Sequence, residues 1–184
     1  MNDKITLNEQ TSKVDEKMKD TCVINEYVHF THNDPVEFLD TGFITGDELK
    51  NAVTVCMSNY TEKNINECSY DLRNYRQQRV PTSHMHENYK LYSGMSTLIY
   101  SREIIEVPLN CMVILKLRNS AMLEGLSLTA PIYLPGHKTR LCARVRNDGP
   151  VYFEFITDES VIQAYFVKLS RNAKPYNGKY QNNI

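Results

Sequence analysis

Lys138, Arg140, Arg144 and Arg146 crowd one short segment, with Tyr133 and Tyr152 close by in sequence. In an extended strand their even spacing puts all four on one face. Such a cluster suits a nucleic acid, a nucleotide or an acidic protein partner. It suits equally a solvated strand face balanced by acidic neighbours. His84-Met85-His86 can set two imidazoles on one side of a strand, but no third metal ligand is identifiable, and a solvated loop accounts for the pair. A zinc-dependent deaminase needs His-x-Glu and Pro-Cys-x-x-Cys, and neither is present. There is also no Gly-x-x-x-x-Gly-Lys-Ser/Thr phosphate loop and no Gly-x-Ser-x-Gly nucleophile elbow.

Any of these chemistries needs a frame, and the apolar period predicts one. Val113, Leu115 and Leu117 alternate with Met112, Ile114 and Lys116, while Leu141, Ala143 and Val145 alternate with Cys142 and the arginines. Residues 151–156 and 161–169 read as further short strands, set apart by Asp148-Gly149-Pro150 and Thr157-Asp158-Glu159-Ser160. Short strands with frequent turns predict an all-β barrel or sandwich. One helix is expected from Thr45. Thr45 and Glu48 have the spacing of a capping box, and Leu49, Ala52, Val53 and Cys56 form one apolar stripe. Tyr70, Tyr75 and Tyr89 are expected to pack in the barrel or between subunits rather than to stack on bases.

Residues 1–40 are polar, mixed in charge and without a sustained period, which predicts a flexible extension. The alternative is an arm that grips a neighbouring subunit through Val23, Ile24, Tyr27, Val28 and Phe30. A β domain is then expected over 41–184. The net charge of −1 gives no global pull toward nucleic acid or an anionic membrane. Five cysteines, an odd number without close pairs, read as reduced thiols. The start, Met1-Asn2-Asp3-Lys4-Ile5-Thr6, lacks an apolar leader and no segment reaches membrane-spanning length, so a cytosolic protein is expected.

Four pieces carry a family resemblance. They are Gly42-Phe43-Ile44-Thr45-Gly46-Asp47-Glu48-Leu49, Ser69-Tyr70-Asp71-Leu72-Arg73, Arg118-Asn119-Ser120 with Gly125-Leu126, and Pro175-Tyr176-Asn177-Gly178-Lys179-Tyr180-Gln181. In this order they resemble the opening helix, first barrel strands, phosphate-binding segment and C-terminal lid of the dCTP deaminase and dUTPase superfamily. The resemblance covers residues 42–184 and implies a mainly β, distorted jelly-roll-like barrel with one N-terminal helix, assembled as a homotrimer with sites at subunit boundaries. It also implies nucleotide binding by Arg118, Ser120, Tyr176 and Lys179, with Arg144 adding charge. The planar fork of Arg118 suits two phosphate oxygens, and Lys179 is a mobile point charge on a closing tail.

The family's catalytic positions are where the chain departs from it. Deaminases place a Glu three residues before the strand-ending Asn, and here Asn147 is preceded at that distance by Arg144, which stays protonated and cannot act as a base. dUTPases place a water-orienting Asp in the turn occupied by Ala130-Pro131-Ile132-Tyr133, and an unperturbed tyrosine is neutral at pH 7. The family's second serine beside the arginine is Asn119. The expected function is a nucleotide-binding protein without the parent catalysis, serving as sensor, sequestering agent or regulator. Two alternatives stand beside it: an active dCTP deaminase or dUTP diphosphatase whose base is relocated to Glu124, His137 or Glu154, and a structural or interaction module. No cofactor is implied beyond Mg²⁺ that a triphosphate can carry. A protein partner could use residues 1–40 or the Lys138–Arg146 cluster. A viral source is compatible with such divergence, with the host cytoplasm as its location.

Overall fold

A computed structural model describes residues 41–77 and 89–184, with backbone alone at Arg76 and Gln77. The expected extension over 1–40 and the His84/His86 pair lie outside the described residues. In chain order the elements are β1 (Gly42–Phe43), α1 (Gly46–Cys56), β2 (Met57–Ser58), a 3₁₀ turn (Glu62–Asn64), β3 (Tyr70–Leu72), β4 (Asn74–Gln77), β5 (Tyr89–Leu91), β6 (Ser96–Glu106), β7 (Cys111–Leu117), α2 (Asn119–Leu123), β8 (Leu126–Thr129), β9 (Lys138–Asn147), β10 (Phe153–Phe155) and β11 (Ile162–Lys168).

The strands pair antiparallel throughout. In one sheet β11 is flanked along its length by β7, with β1 and β3 at the two ends of its other edge. A second sheet has the order β2-β6-β9-β8, with β4 also on β6, and β5 pairs with β10 in a third. The mainly β expectation holds, and among the described residues the strands are laid out as three sheets rather than as one closed barrel. The period of two has its expected consequence: Val113 and Leu115, Leu141, Ala143 and Val145, Ile99 and Ile105, and Ala164 and Phe166 all turn into a single apolar core. Removing that surface from water is the main term that holds the sheets together, at roughly 25 cal/mol per Å².

The predicted stripe of α1 is correct, with Leu49, Val53 and Cys56 buried and Ala52 packed against the core. The capping box is not. Thr45 is the N-cap residue, but its side chain makes no capping hydrogen bond. The Gly46 N–H donates instead to the Glu67 carbonyl at 2.8 Å, and Glu48 pairs across the fold with Lys168 at 3.2 Å. A tertiary carbonyl has taken over part of the local capping task. The helix is also not alone, because α2 follows β7 directly. Its exit is built on Gly125, at φ +94°, where a Cβ would lie 2.7 Å from the Gly149 Cα, so only glycine lets the α2–β8 turn touch the Asp148–Gly149 turn.

On β6 the register slips between Tyr100 and Ile104, which face Cys142 and Arg140 of β9. Three residues, Ser101-Arg102-Glu103, thus oppose the single Leu141, and this bulge leaves the alternation of β6 intact, with Glu103 inward and Arg102 partly exposed.

Candidate functional site

Arg118 follows β7 in an extended conformation and is the N-cap residue of α2. Its N–H donates to the Val161 carbonyl at 2.9 Å. The guanidinium donates to the Ser160 carbonyl at 3.3 Å and lies 3.6 Å from Asp71, whose other oxygen accepts from Gln163 Nε2 at 2.9 Å. One edge of the fork is therefore fixed, while the side chain keeps 43% of its exposure. Asn119 and Ser120 are exposed beside it at the start of α2. Next to them an open, largely apolar groove of about 350 Å³ runs between α2 and β8, lined by Leu117, Met122, Leu126 and Leu128 with Lys116 and Ser127.

Arg144 points outward from β9, between Leu98 on β6 and Thr129 on β8 in register, and donates to Ser96 Oγ at 3.4 Å. Among the described residues no carboxylate pairs with it. Lys138 and Arg146, by contrast, are neutralised by Glu106 and Asp148 at 2.9 and 2.6 Å. The balanced strand face is thus realised at both ends of the cluster. Asn147, the strand-ending residue, is buried with its side chain fully used: it donates to the Leu91 and Val151 carbonyls and accepts from Gly149 N–H.

Tyr133 is a core residue. It is 2% exposed, and its hydroxyl accepts from the Cys142 N–H at 2.7 Å while donating to the Cys142 carbonyl at 2.8 Å. Burial, with the neighbouring Cys142 thiol, pushes its pKa far above the usual tyrosine value. It cannot orient water at a substrate. The relocated-base candidates differ among themselves. His137 is buried between Tyr133 and Tyr176, with Nε2 2.9 Å from the Tyr180 carbonyl, to which it donates. Glu124 and Glu154 are exposed, the latter opposite Lys90 in the β5–β10 pair.

The C-terminal tail docks on its own chain. Tyr176 N–H donates to the Pro135 carbonyl, Asn182 N–H to Lys138, and Arg140 N–H to Asn183, so the tail extends the free edge at the start of β9. The Tyr176 ring packs tilted against His137 at 4.2 Å between centroids, and Lys179 is exposed. This places the tail near Val107–Leu109, just before β7, whereas Arg118 lies past its far end. The strand between the two regions is seven residues long, about 24 Å at the usual rise. The structure keeps Arg118 and Ser120 together, and it does not bring Tyr176 and Lys179 to them within one chain.

One charged group went unforeseen. Glu103 is 0% exposed and accepts from Tyr70 Oη at 3.0 Å, from Arg73 N–H at 3.1 Å and from Arg73 Nε at 2.8 Å. Burial and the Glu103 charge raise the Tyr70 pKa to about 12. Burial opposes the charge of Arg73, yet Glu103 outweighs it and the Arg73 pKa is raised. The parity of β6 carried the signal, since Glu103 shares the inward face with Ile99, Ser101 and Ile105. Among the described residues no group of three or more His, Cys, Asp or Glu side chains is placed to hold a metal ion, and no helix is long and apolar enough to cross a membrane.

No family model and no curated protein matches the chain by sequence. Solved structures do match. The 2'-deoxycytidine 5'-triphosphate deaminase of Agrobacterium tumefaciens superimposes with a TM-score of 0.58 at 10% identity, over 70% of this chain and 48% of the deaminase, so the match spans about half of that enzyme's length. The EIAV dUTPase gives a TM-score of 0.47 at 14% identity over 78% of this chain and 99% of its own. A point mutant of the Staphylococcus bacteriophage 80alpha dUTPase with dUpNHpp gives 0.49 at 10% identity over 67% and 95%. The likeness to the deaminase concerns the fold alone, and the chain has the dUTPase/dCTP deaminase-like fold.

Proposed function

We propose that the chain binds a deoxynucleoside triphosphate at the Arg118 corner without deaminating or hydrolysing it, and acts as a sensor, sequestering agent or regulator of that nucleotide. The observation that supports this most is the setting of Arg118. Its guanidinium is held on one edge by Asp71 and the Ser160 carbonyl and keeps 43% exposure, and the exposed Ser120 follows two residues on in α2. That arrangement presents a preorganised fork to phosphate oxygens. Asp71 is already engaged by Arg118 and Gln163, so Mg²⁺ would arrive on the triphosphate rather than be held by the chain. Neither family position supplies a base. Arg144 stays cationic, Tyr133 is sealed in the core, and His137 is committed to the tail.

Within one chain the tail sits away from Arg118. Contributions from Tyr176 and Lys179 would therefore come from a neighbouring copy, which favours a homotrimer with shared sites. Cys56, Cys68, Cys111 and Cys142 are free thiols, which favours a reducing cytoplasm, that of the host for a viral chain.

The test combines turnover and binding. The purified protein is incubated with Mg²⁺ and dCTP, dUTP or dTTP, and products are separated by anion exchange. The expected result is no product, together with nucleotide-induced thermal stabilisation that Arg118→Ala abolishes. Release of dUTP or dUMP would establish an enzyme with a displaced base. Absence of any stabilisation would leave an interaction module.

A further inference from the structure

The Arg118 corner is one end of a longer track across the outer face of its sheet. Asp71 on β3, Gln163 on β11 and Lys116 on β7 stand directly opposite one another in register, so their side chains leave the sheet on the same side. Their chain neighbours Leu72, Ile162, Ala164 and Leu115 are buried, which makes that side the outer one. Neighbouring strands lie about 4.8 Å apart, so this row runs roughly 10 Å from Asp71 to Lys116. At its β3 end Asp71 holds the Arg118 guanidinium. At its β7 end Lys116 is exposed, and among the described residues no carboxylate forms an ion pair with it. Lys116 also lines the groove between α2 and β8, which begins where the row ends. The order across the surface is a guanidinium fork, an ammonium group and an apolar groove.

The groove has the size and lining of a small ligand site. Its volume of about 350 Å³ falls at the low end of the usual range of about 300–1,000 Å³. Leu117, Met122, Leu126 and Leu128 form its walls, and Met122 leaves 52% of its surface in water beside the Lys116 charge. Its neutral polar side chains are the Asn119 amide and the Ser127 hydroxyl. Each can both donate and accept, so neither favours one base edge over another. What the groove can read is apolar area, and a purine offers more of it than a pyrimidine. A single phosphate next to a nucleoside in the groove would meet Lys116 and stop short of Arg118, whereas a chain of phosphoryl groups can engage both cations. We infer, on the Arg118 reading proposed above, that the groove holds the nucleoside of a deoxynucleoside triphosphate whose phosphate chain runs over Lys116 to Arg118, and that the site does not select pyrimidine over purine.

The test is calorimetric titration of the full chain in Mg²⁺ buffer with dCTP, dATP, dCMP and inorganic tripolyphosphate. Wild type is expected to bind dCTP more tightly than tripolyphosphate, which has no nucleoside, and than dCMP, which is too short for the track. It is expected to bind dATP at least as tightly as dCTP. Met122→Ala alters an exposed side chain and should leave the fold intact. It is expected to weaken dCTP and dATP about fourfold or more, the effect of one buried methylene, and to leave tripolyphosphate unchanged. Lys116→Gln is expected to weaken dCTP and tripolyphosphate by a similar factor, and Arg118→Ala to abolish binding of both. Equal wild-type affinity for dCTP and tripolyphosphate, or no loss in Met122→Ala, would overturn the inference and leave Arg118 standing as a phosphate site. A preference for dCTP over dATP of about tenfold or more would overturn the absence of base selection. A changed oligomeric state of Met122→Ala by light scattering, with nucleotide affinity unaltered, would overturn the inference by assigning the groove to a second copy. No binding of any probe, or binding indifferent to Arg118→Ala, would remove the Arg118 reading itself and this inference with it.

Discussion

Glu103→Ala tests whether the buried charge under the bulge is structural. The substitution removes the acceptor of three donors at once, namely Tyr70 Oη, Arg73 N–H and Arg73 Nε. Breaking a buried pair by deleting one partner costs about 3–5 kcal/mol, because the remaining charge stays desolvated. Arg73 keeps 15% exposure and a contact to the Asn59 carbonyl, so it can recover some hydration and the lower end applies, about 3 kcal/mol. For a domain of this size that loss lowers Tm by roughly 6–12 °C. Tyr70→Phe removes one donor and leaves the ion pair intact, so about 1 kcal/mol is expected. As a control, Glu106→Ala breaks the exposed pair with Lys138 and should cost less than about 1 kcal/mol. Urea unfolding at pH 7 and fixed protein concentration measures all three. A Glu103→Ala midpoint equal to that of Glu106→Ala, with unchanged m, would refute the reasoning and show that Arg73 is solvated well enough to stand alone.

Three further outcomes follow from the same geometry. Gly125→Ala forces a side chain onto left-handed backbone and against Gly149, and should cost more than about 1–3 kcal/mol in urea unfolding. Tyr133→Phe leaves the N–H and carbonyl of Cys142 without their shared partner, and a loss of about 2 kcal/mol is expected by the same measurement. Stability should also fall at alkaline pH. The folded pKa of Tyr70 is raised to about 12 from an unfolded value near 10, so the folded state retains a proton that the unfolded chain releases. This contribution is complete below about pH 10 and is lost between about 10 and 12. Tyr70→Phe should flatten that part of the pH profile.

The long elements were legible because their period is regular and their partners are generic. β7, β9 and β11 alternate cleanly, and any apolar sheet could receive their inward faces. Helix α1 was visible through four apolar positions at helical spacing, but its cap was misread because the carbonyl of Glu67 is invisible to local reasoning. α2 is five residues long, too short for a helical period to show, and its stop depends on a contact with Gly149. At the site, Arg118 and Ser120 could be picked out by resemblance, yet the supports of Arg118 come from Asp71 and Ser160 on other elements. The bulge of β6 was harder still, because three residues there face one of β9 and a register slip leaves no mark in composition or period.

On the proposed alignment, Arg144 and Tyr133 stand where the two bases would be expected, and the fold asks different things of them. Along β9, Leu141, Ala143 and Val145 carry the packing, while Arg144 projects outward with one long hydrogen bond to Ser96. The fold therefore places little demand on residue 144, and a carboxylate there would be solvated as the guanidinium is. Residue 133 stands the other way. Its ring fills the core and its hydroxyl satisfies both main-chain groups of Cys142, so an aspartate in its place would bury a charge and leave both groups unpaired. The outward position could take a carboxylate by one substitution without disturbing the sheet. The inward one could not, because the tyrosine there has become part of what holds β9 to the loop ahead of it. An acid at position 133 would therefore cost the fold far more than one at position 144.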